Sequence, residues 1–266
     1  MSESRGSVPV RSGVSAPRPS AALPTCREAL LDALAIVVPT ACAGCGEPDR
    51  TVCDDCRRRL RPRVRFVELD GLRVAHAHDY GGIVRSALAA FKDGGRTDAA
   101  PHLAPSLRAA VAAALSLARS EQDAPARAPA PARGPAPARV DAAPPRPIHL
   151  VTVPSSRAAF RARGYVPVAL LLKRAGLRPE KALVARRTAD DQAGLTAERR
   201  RANRAGWLEA RGGMVGKRVL LVDDILTTGS TLLEARRALT AGGADVVAAA
   251  VLARTPRRVE GARAPL

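Results

Sequence analysis

Short apolar runs alternate with longer amphipathic segments, most clearly in the second half of the chain. The apolar runs predict buried strands over 148–153, 218–224 and 245–254, and KALVARR predicts another over 181–187. Between them, helical periodicity predicts helices over 157–176 and 229–242. Strands that alternate with helices indicate an α/β fold, with a mostly parallel sheet flanked by helices.

The first half of the chain is less regular. LRVAHAHDY predicts a strand from residue 72, followed by helices over 81–95 and 98–120, with Pro105 as a candidate break. We divide the chain into a disordered tail (1–24), a helix plus a cysteine module (25–66) and the α/β domain (67–258). A Pro/Ala/Arg tract at about 120–147 has no core-forming pattern and predicts a disordered insertion in that domain.

The chain is strongly basic, with 43 Lys+Arg against 25 Asp+Glu among its 266 residues and a net charge of +18. This balance favours anionic partners, such as nucleic acid or phosphate esters, without selecting one. Aromatic residues are only 2%, which argues against a single-strand-binding surface built on base stacking. No stretch approaches the roughly 20 apolar residues that cross a bilayer, so we expect no membrane insertion and a cytoplasmic location.

Four cysteines form a C-x2-C-x7-C-x2-C pattern: Cys42, Cys45, Cys53 and Cys56. Two such pairs direct four thiolates at one metal, so we predict a structural, zinc-ribbon-like site. The alternative is two disulfides, which a cytoplasmic location disfavours. Five arginines follow between residues 57 and 63, and they form either a solvated helix face or a contact for nucleic acid.

The segment VLLVDDILTTGST contains the most informative chemistry. Asp223 and Asp224 end a predicted buried strand, where ligands bind in open α/β sheets. The turn over 227–231 supplies four hydroxyls, a glycine and the start of a helix, which together suit a phosphate. The carboxylates suit hydroxyl groups such as a ribose diol, so a sugar 5-phosphate fits both ends of the predicted site.

This segment resembles the phosphoribosyl-pyrophosphate (PRPP) motif of type I phosphoribosyltransferases. The order of modules is similar to the ComF family, named for a competence protein needed for DNA uptake. Supporting segments are the four-cysteine module, YGGIVRSALAAFKDGG, VPSSRAAFRARGY and QAGLTAERRRANRAG.

The resemblance implies a type I phosphoribosyltransferase fold and roles for particular residues. Asp223 and Asp224 would bind the ribose hydroxyls and stabilise positive charge developing on the sugar. The 5-phosphate would be held by Thr227, Thr228, Gly229, Ser230 and Thr231. The pyrophosphate would meet Ser155, Ser156 and Arg157, with Arg161 and Arg163 as further cationic candidates, and Mg²⁺ would bridge pyrophosphate and ribose oxygens. A loop with Gln192, Arg200 and Asn203 would close over the site.

The implied activity is Mg²⁺-dependent transfer of a phosphoribosyl group from PRPP to an unidentified acceptor. One alternative is a PRPP- or nucleotide-binding regulator without turnover. Another is an accessory protein of DNA uptake that binds single-stranded DNA or a helicase. The chain departs from the family pattern at Val166 and Pro167, which replace an Asn-Gln pair and put the acceptor half of the site in doubt.

Overall fold

The computed structural model describes residues 40–123, 146–186 and 206–256, and every structural statement below concerns those residues. The helices are α1 (Asp54–Arg59), α2 (Gly82–Lys92), α3 (Ala100–Asp123), α4 (Arg157–Arg163), α5 (Pro167–Arg174) and α6 (Ser230–Ala241), with one 3-10 turn at Thr97–Ala99. The strands are β1 (Arg65–Leu69), β2 (Leu72–Asp79), β3 (Ile148–Thr152), β4 (Leu183–Ala185), β5 (Leu208–Ala210), β6 (Arg218–Leu226) and β7 (Asp245–Arg254).

Five strands form the central sheet, in the order β1-β2-β7-β6-β3. The pairs β2–β7, β7–β6 and β6–β3 are parallel, and only β1 pairs antiparallel with its neighbour β2. The sheet is therefore mixed but mostly parallel, with helices packed on it, as the sequence predicts. Strands β4 and β5 form a separate antiparallel pair.

Both faces of the sheet are buried, which explains why its central strands have continuous apolar runs. Along β6, Leu220 and Val222 belong to the core under α2, α3 and α5, whereas Val219 and Leu221 belong to the core under α6. This alternation follows from the two-residue side-chain period of a strand. Alanine is frequent in both cores, so helices and sheet approach closely.

Several predicted elements differ from the observed ones. The single helix predicted over 157–176 is wrong: Gly164, in the left-handed region at φ 75°, ends α4, and Pro167 occupies the first turn of α5. Helix α3 runs through Pro105, whose exposed position in the second turn costs a backbone donor without ending the helix. The strand predicted over 181–187 is only three residues long, and it pairs outside the main sheet.

The helix predicted before the cysteine module, the tail at 1–24 and most of the tract at 120–147 lie outside the described residues. None of the described helices is both long and apolar enough to span a membrane.

Candidate functional site

The cysteine cluster forms a tight group of four thiols. The four Sγ atoms of Cys42, Cys45, Cys53 and Cys56 all lie within 4.8 Å of one another, and none of these residues is in a disulfide. Tetrahedral zinc at about 2.3 Å from each sulfur needs sulfurs about 3.8 Å apart. The Cys45 and Cys53 sulfurs are 3.7 Å apart. The arrangement is consistent with a zinc module and not with two disulfides.

Backbone N–H groups surround one of these sulfurs. Gly44 and Cys53 donate to Cys42 Sγ at 3.4 and 3.3 Å. Burial alone would raise the pKa of Cys42, but the N–H groups of Cys53, Cys45 and Gly44 outweigh it and lower the pKa to about 6. A thiol that ionises this readily is a good metal ligand, because zinc binds the thiolate.

Helix α1, which follows the cluster, contains three of the five neighbouring arginines. Arg57 pairs with Asp54 at 3.2 Å, while Arg58 and Arg59 pair with Asp55 at 3.3 and 3.1 Å. All five of these side chains are well exposed and belong to one short helix. This pattern is typical of a solvated helix face. The nucleic-acid partner stays a prediction.

A second site lies at the carboxyl ends of two neighbouring parallel strands, β3 and β6. A cavity of about 360 Å³ opens there. Its polar lining includes Lys92, Ser155, Ser156, Arg163, Asp223, Asp224, Thr227 and Thr231. The pairing of β3 with β6 brings the turn at 153–156 beside the aspartates, although about 70 residues separate them in sequence.

The two aspartates have different surroundings. Asp224 is buried, and its Oδ2 atom lies 2.8 Å from Lys92 Nζ. The Asp223 side chain instead accepts a hydrogen bond from the Asp224 N–H at 2.9 Å. Burial and the neighbouring Asp224 charge raise the pKa of Asp223 to about 7, although Lys92 acts in the opposite direction. The pair therefore consists of one carboxylate in contact with the Lys92 ammonium and one carboxyl whose pKa is near neutrality.

The turn between β6 and α6 has the geometry expected of an anion site. Gly229 precedes α6 at φ 86°, a backbone conformation that favours glycine. The hydroxyls of Thr228 and Ser230 lie 3.1 Å apart, and the Ser230 N–H donates to Thr228 Oγ1 at 3.4 Å. Thr227 and Thr231 line the cavity itself. The start of α6 thus presents backbone N–H groups and hydroxyls at the same end of the sheet as the aspartates.

Only some of the site residues predicted in the turn after β3 and in α4 line the cavity. Ser155 and Ser156 line the cavity, but the Ser156 side chain also caps α4 by accepting from the Ala159 N–H at 3.1 Å. Of the three candidate arginines, Arg163 lines the cavity and pairs with Asp93 at 3.1 Å. Arg157 and Arg161 are exposed on α4 and are not part of the described lining.

Two features of this cavity were not predicted as parts of the site. Lys92 lies within a segment that resembles the ComF family, but only the fold brings it to Asp224. The other feature is an apolar wall that includes Trp207, Pro167 and Val168. Pro167 is one of the two residues that replace the family's polar pair, so the departure lies at the cavity itself. The predicted loop residues Gln192, Arg200 and Asn203 lie outside the described residues.

Residues 161–265 match the family model described as "Phosphoribosyl transferase domain". The match includes β6, the turn at 227–231 and α6, but it excludes the cysteine cluster, Lys92 and the turn after β3. It supports a phosphoribosyltransferase domain in the second half of the chain, and membership of the ComF family stays a prediction. A comparison with curated proteins gave no match.

Proposed function

We propose that this protein binds PRPP in the cavity between β3 and β6 and transfers its phosphoribosyl group to an acceptor, with Mg²⁺ as the accompanying ion. The observation that carries the proposal is the convergence of three groups on one cavity. The aspartates, the hydroxyls at the start of α6 and the serines after β3 line it together. Each group suits a different part of one ligand, and the phosphoribosyl transferase match covers the first two.

In this proposal the 5-phosphate lies at the start of α6, where Thr227 and Thr231 donate hydrogen bonds and the helix dipole favours negative charge. Asp223 and Asp224 accept hydrogen bonds from the ribose hydroxyls. The pyrophosphate lies toward Ser155, with Arg163 of the same cavity lining as a candidate cation for it.

Transfer exchanges one bond at the anomeric carbon for another. The bond to the pyrophosphate oxygen breaks, pyrophosphate leaves with the electron pair, and a lone pair of the acceptor forms the new bond. Positive charge develops on the sugar meanwhile, and the nearby carboxylates stabilise it electrostatically. The polar lining of the cavity is rich in oxygen atoms, from two aspartates and four hydroxyl side chains, which suits a hard cation held by PRPP's own oxygens. Mg²⁺ bound there would neutralise charge on the leaving group.

The direct test is calorimetric titration of PRPP into the zinc-loaded protein, with and without Mg²⁺. We expect Mg²⁺-dependent binding in the micromolar range, about −8 kcal/mol at 1 μM. Replacing both aspartates by asparagine should abolish it. Asp245→Asn is the matched control, since Asp245 is an exposed acid at the start of β7, remote from the carboxyl end of the sheet. Unchanged affinity in the double variant would contradict the assigned ribose contacts.

A PRPP-binding regulator without turnover is the second candidate, and the apolar wall favours it. Pro167 and Val168 offer an acceptor no hydrogen-bonding side chain, and Trp207 offers only its indole N–H donor. Pyrophosphate release separates the two functions. An enzyme releases pyrophosphate from PRPP when a suitable acceptor is added, whereas a regulator binds PRPP and releases none across a panel of nucleobases and amines.

A further inference from the structure

Lys92 is held firmly at the edge of the cavity. It is the last residue of α2, whose buried face includes Leu88 and Phe91. The Tyr165 hydroxyl donates to the Phe91 carbonyl, and the two rings lie 5.6 Å apart. On the other side of Lys92, Asp93 pairs with Arg163 at 3.1 Å. Contacts on both neighbouring residues therefore fix the direction in which the lysine leaves the helix.

The ammonium group has one short ionic contact among the described residues. Lys92 Nζ lies 2.8 Å from Asp224 Oδ2, and both side chains are largely buried, at 23% and 12% exposure. This is unlike the exposed pairs on α1, because partial exclusion of water strengthens the interaction. Arg163 is the other cation of the cavity lining, and it pairs with Asp93 at 3.1 Å. Lys92 is thus the counter-charge of the aspartate pair.

We propose that Lys92 is a positioning residue of the sugar-phosphate site, whose ammonium holds the Asp224 carboxylate in place and offsets the negative charge of the aspartate pair. This inference rests on the proposed function and extends it to a residue outside the matched region. Two adjacent carboxylates repel each other, so a site that needs both as acceptors requires a cation close to one of them. Lys92 supplies that cation from a different part of the chain.

A pH dependence follows from the charges that face Asp223, which are Asp224 on its own strand and Lys92 from α2. An ionised Asp223 accepts a stronger hydrogen bond from a ribose hydroxyl than the protonated acid does, and the pKa of Asp223 is raised to about 7. PRPP affinity should therefore increase as the pH rises through about 7. Without Lys92 the carboxylates repel each other unscreened, so this increase should move to higher pH by about one unit or more.

The experiment compares the wild type with Lys92→Met, Lys92→Arg and Lys173→Met from pH 5.5 to 9. Lys92→Met keeps much of the apolar stem and removes the charge, whereas Lys92→Arg keeps the charge. Lys173, exposed at the end of α5, is the matched control. One readout is PRPP affinity. Ionisation of PRPP itself changes this affinity with pH in the same way for every variant, so differences between variants come from the protein. The other is the carbon-13 titration of the aspartate carboxyls in the ligand-free protein, assigned with Asp223→Asn and Asp224→Asn.

We expect Lys92→Met to weaken PRPP binding at pH 7 about fivefold or more and to recover much of that loss by pH 9. Lys92→Arg and Lys173→Met should follow the wild-type profile. Carboxyl titrations that do not move in Lys92→Met would overturn the inference, whether or not PRPP binds. If they move while the wild type binds no PRPP, the proposed function fails and the electrostatic role of Lys92 stands. Should Lys92→Met fail to fold, as judged by circular dichroism, Lys92→Gln gives the same comparison.

Discussion

Gly229, which precedes α6 in the predicted phosphate turn, provides a sharp test of the local packing. Its φ of 86° lies in the left-handed region, where a side chain is strained. A Cβ added there would also lie 2.5 and 2.6 Å from the two terminal methyl carbons of Leu69, which belongs to the core between the sheet and α6. Gly229→Ala therefore combines a backbone cost with a steric one.

Each of the two costs has an approximate magnitude. The left-handed conformation costs an alanine about 1–2 kcal/mol, and restriction of the unfolded chain returns about 0.5 kcal/mol. Displacing the buried Leu69 methyls adds about 1–2 kcal/mol of overpacking. Gly229→Ala should thus lower the free energy of unfolding by about 2–3 kcal/mol. Gly164→Ala should cost only about 1 kcal/mol, because Gly164 has a similar φ of 75° and no atom within 4 Å of an added Cβ.

Urea unfolding of five proteins checks this reasoning: the wild type, Gly229→Ala, Gly164→Ala, Leu69→Ala and the double variant at 229 and 69. With Leu69 shortened, Gly229→Ala should cost only its backbone term, so the double-mutant cycle should give a coupling of about 1–2 kcal/mol. If Gly229→Ala costs the same in both backgrounds, the steric term is refuted and the loss comes from the backbone alone.

Three further predictions concern other parts of the molecule. Metal analysis should find about one zinc per chain, and Cys42→Ser should bind it much more weakly; full zinc occupancy in that variant would contradict the assignment. Glu234 is buried and accepts two short hydrogen bonds from Arg237, which lower its pKa from 4.5 to about 2 despite the opposing effect of burial. The lowered pKa corresponds to about 3 kcal/mol of folding free energy, which solvent screening at the half-exposed Arg237 reduces to about 2 kcal/mol. This stabilisation is present above pH 4.5 and is lost as the pH falls to about 2. Glu234→Gln should therefore destabilise the protein at pH 7 and flatten its stability profile in urea between pH 4.5 and 2; an unchanged profile would show that the pair contributes nothing. Trp207 is the single tryptophan of the sequence and lines the candidate cavity, so its fluorescence should change as PRPP binds. Saturation by calorimetry without any change in emission would place the ligand elsewhere.

The sheet was predictable because its central strands are buried on both faces. A continuous apolar run needs no partner to be recognised, and the structure places β3, β6 and β7 close to the predicted runs. The hairpin at the edge was missed, although its signal is present in the sequence. Asp70 and Gly71 both have positive φ between Leu69 and Leu72, which pair across the turn. An Asp-Gly pair between alternating residues is a strong hairpin signal.

The split of the helix predicted over 157–176 also had local signals, namely Gly164 followed by Pro167. The position of Lys92 had none. Its contact with Asp224 spans 132 positions and depends on how α2 packs, which no pattern within either segment encodes. Trp207 likewise reaches the cavity through the separate β4–β5 pair, whose strands are too short for periodicity to detect. The sequence therefore indicates the chemistry of each motif better than it indicates the contacts between motifs.

The cysteine cluster and the candidate cavity share one helix. A Cβ at Gly44 would lie 2.7 Å from Cys56 Sγ and 2.9 Å from Ile83 in the first turn of α2, so the cluster packs directly on that turn. Lys92 is the last residue of the same helix, and its ammonium contacts Asp224. Arg96, just beyond it, donates to the Ala41 carbonyl at 2.7 Å and ties the chain after α2 back to the cysteine segment. Helix α2 contacts the cluster near one end and Asp224 at the other. If the cluster loosens when its metal is removed, we therefore expect the position of Lys92 to change more than that of the phosphate turn.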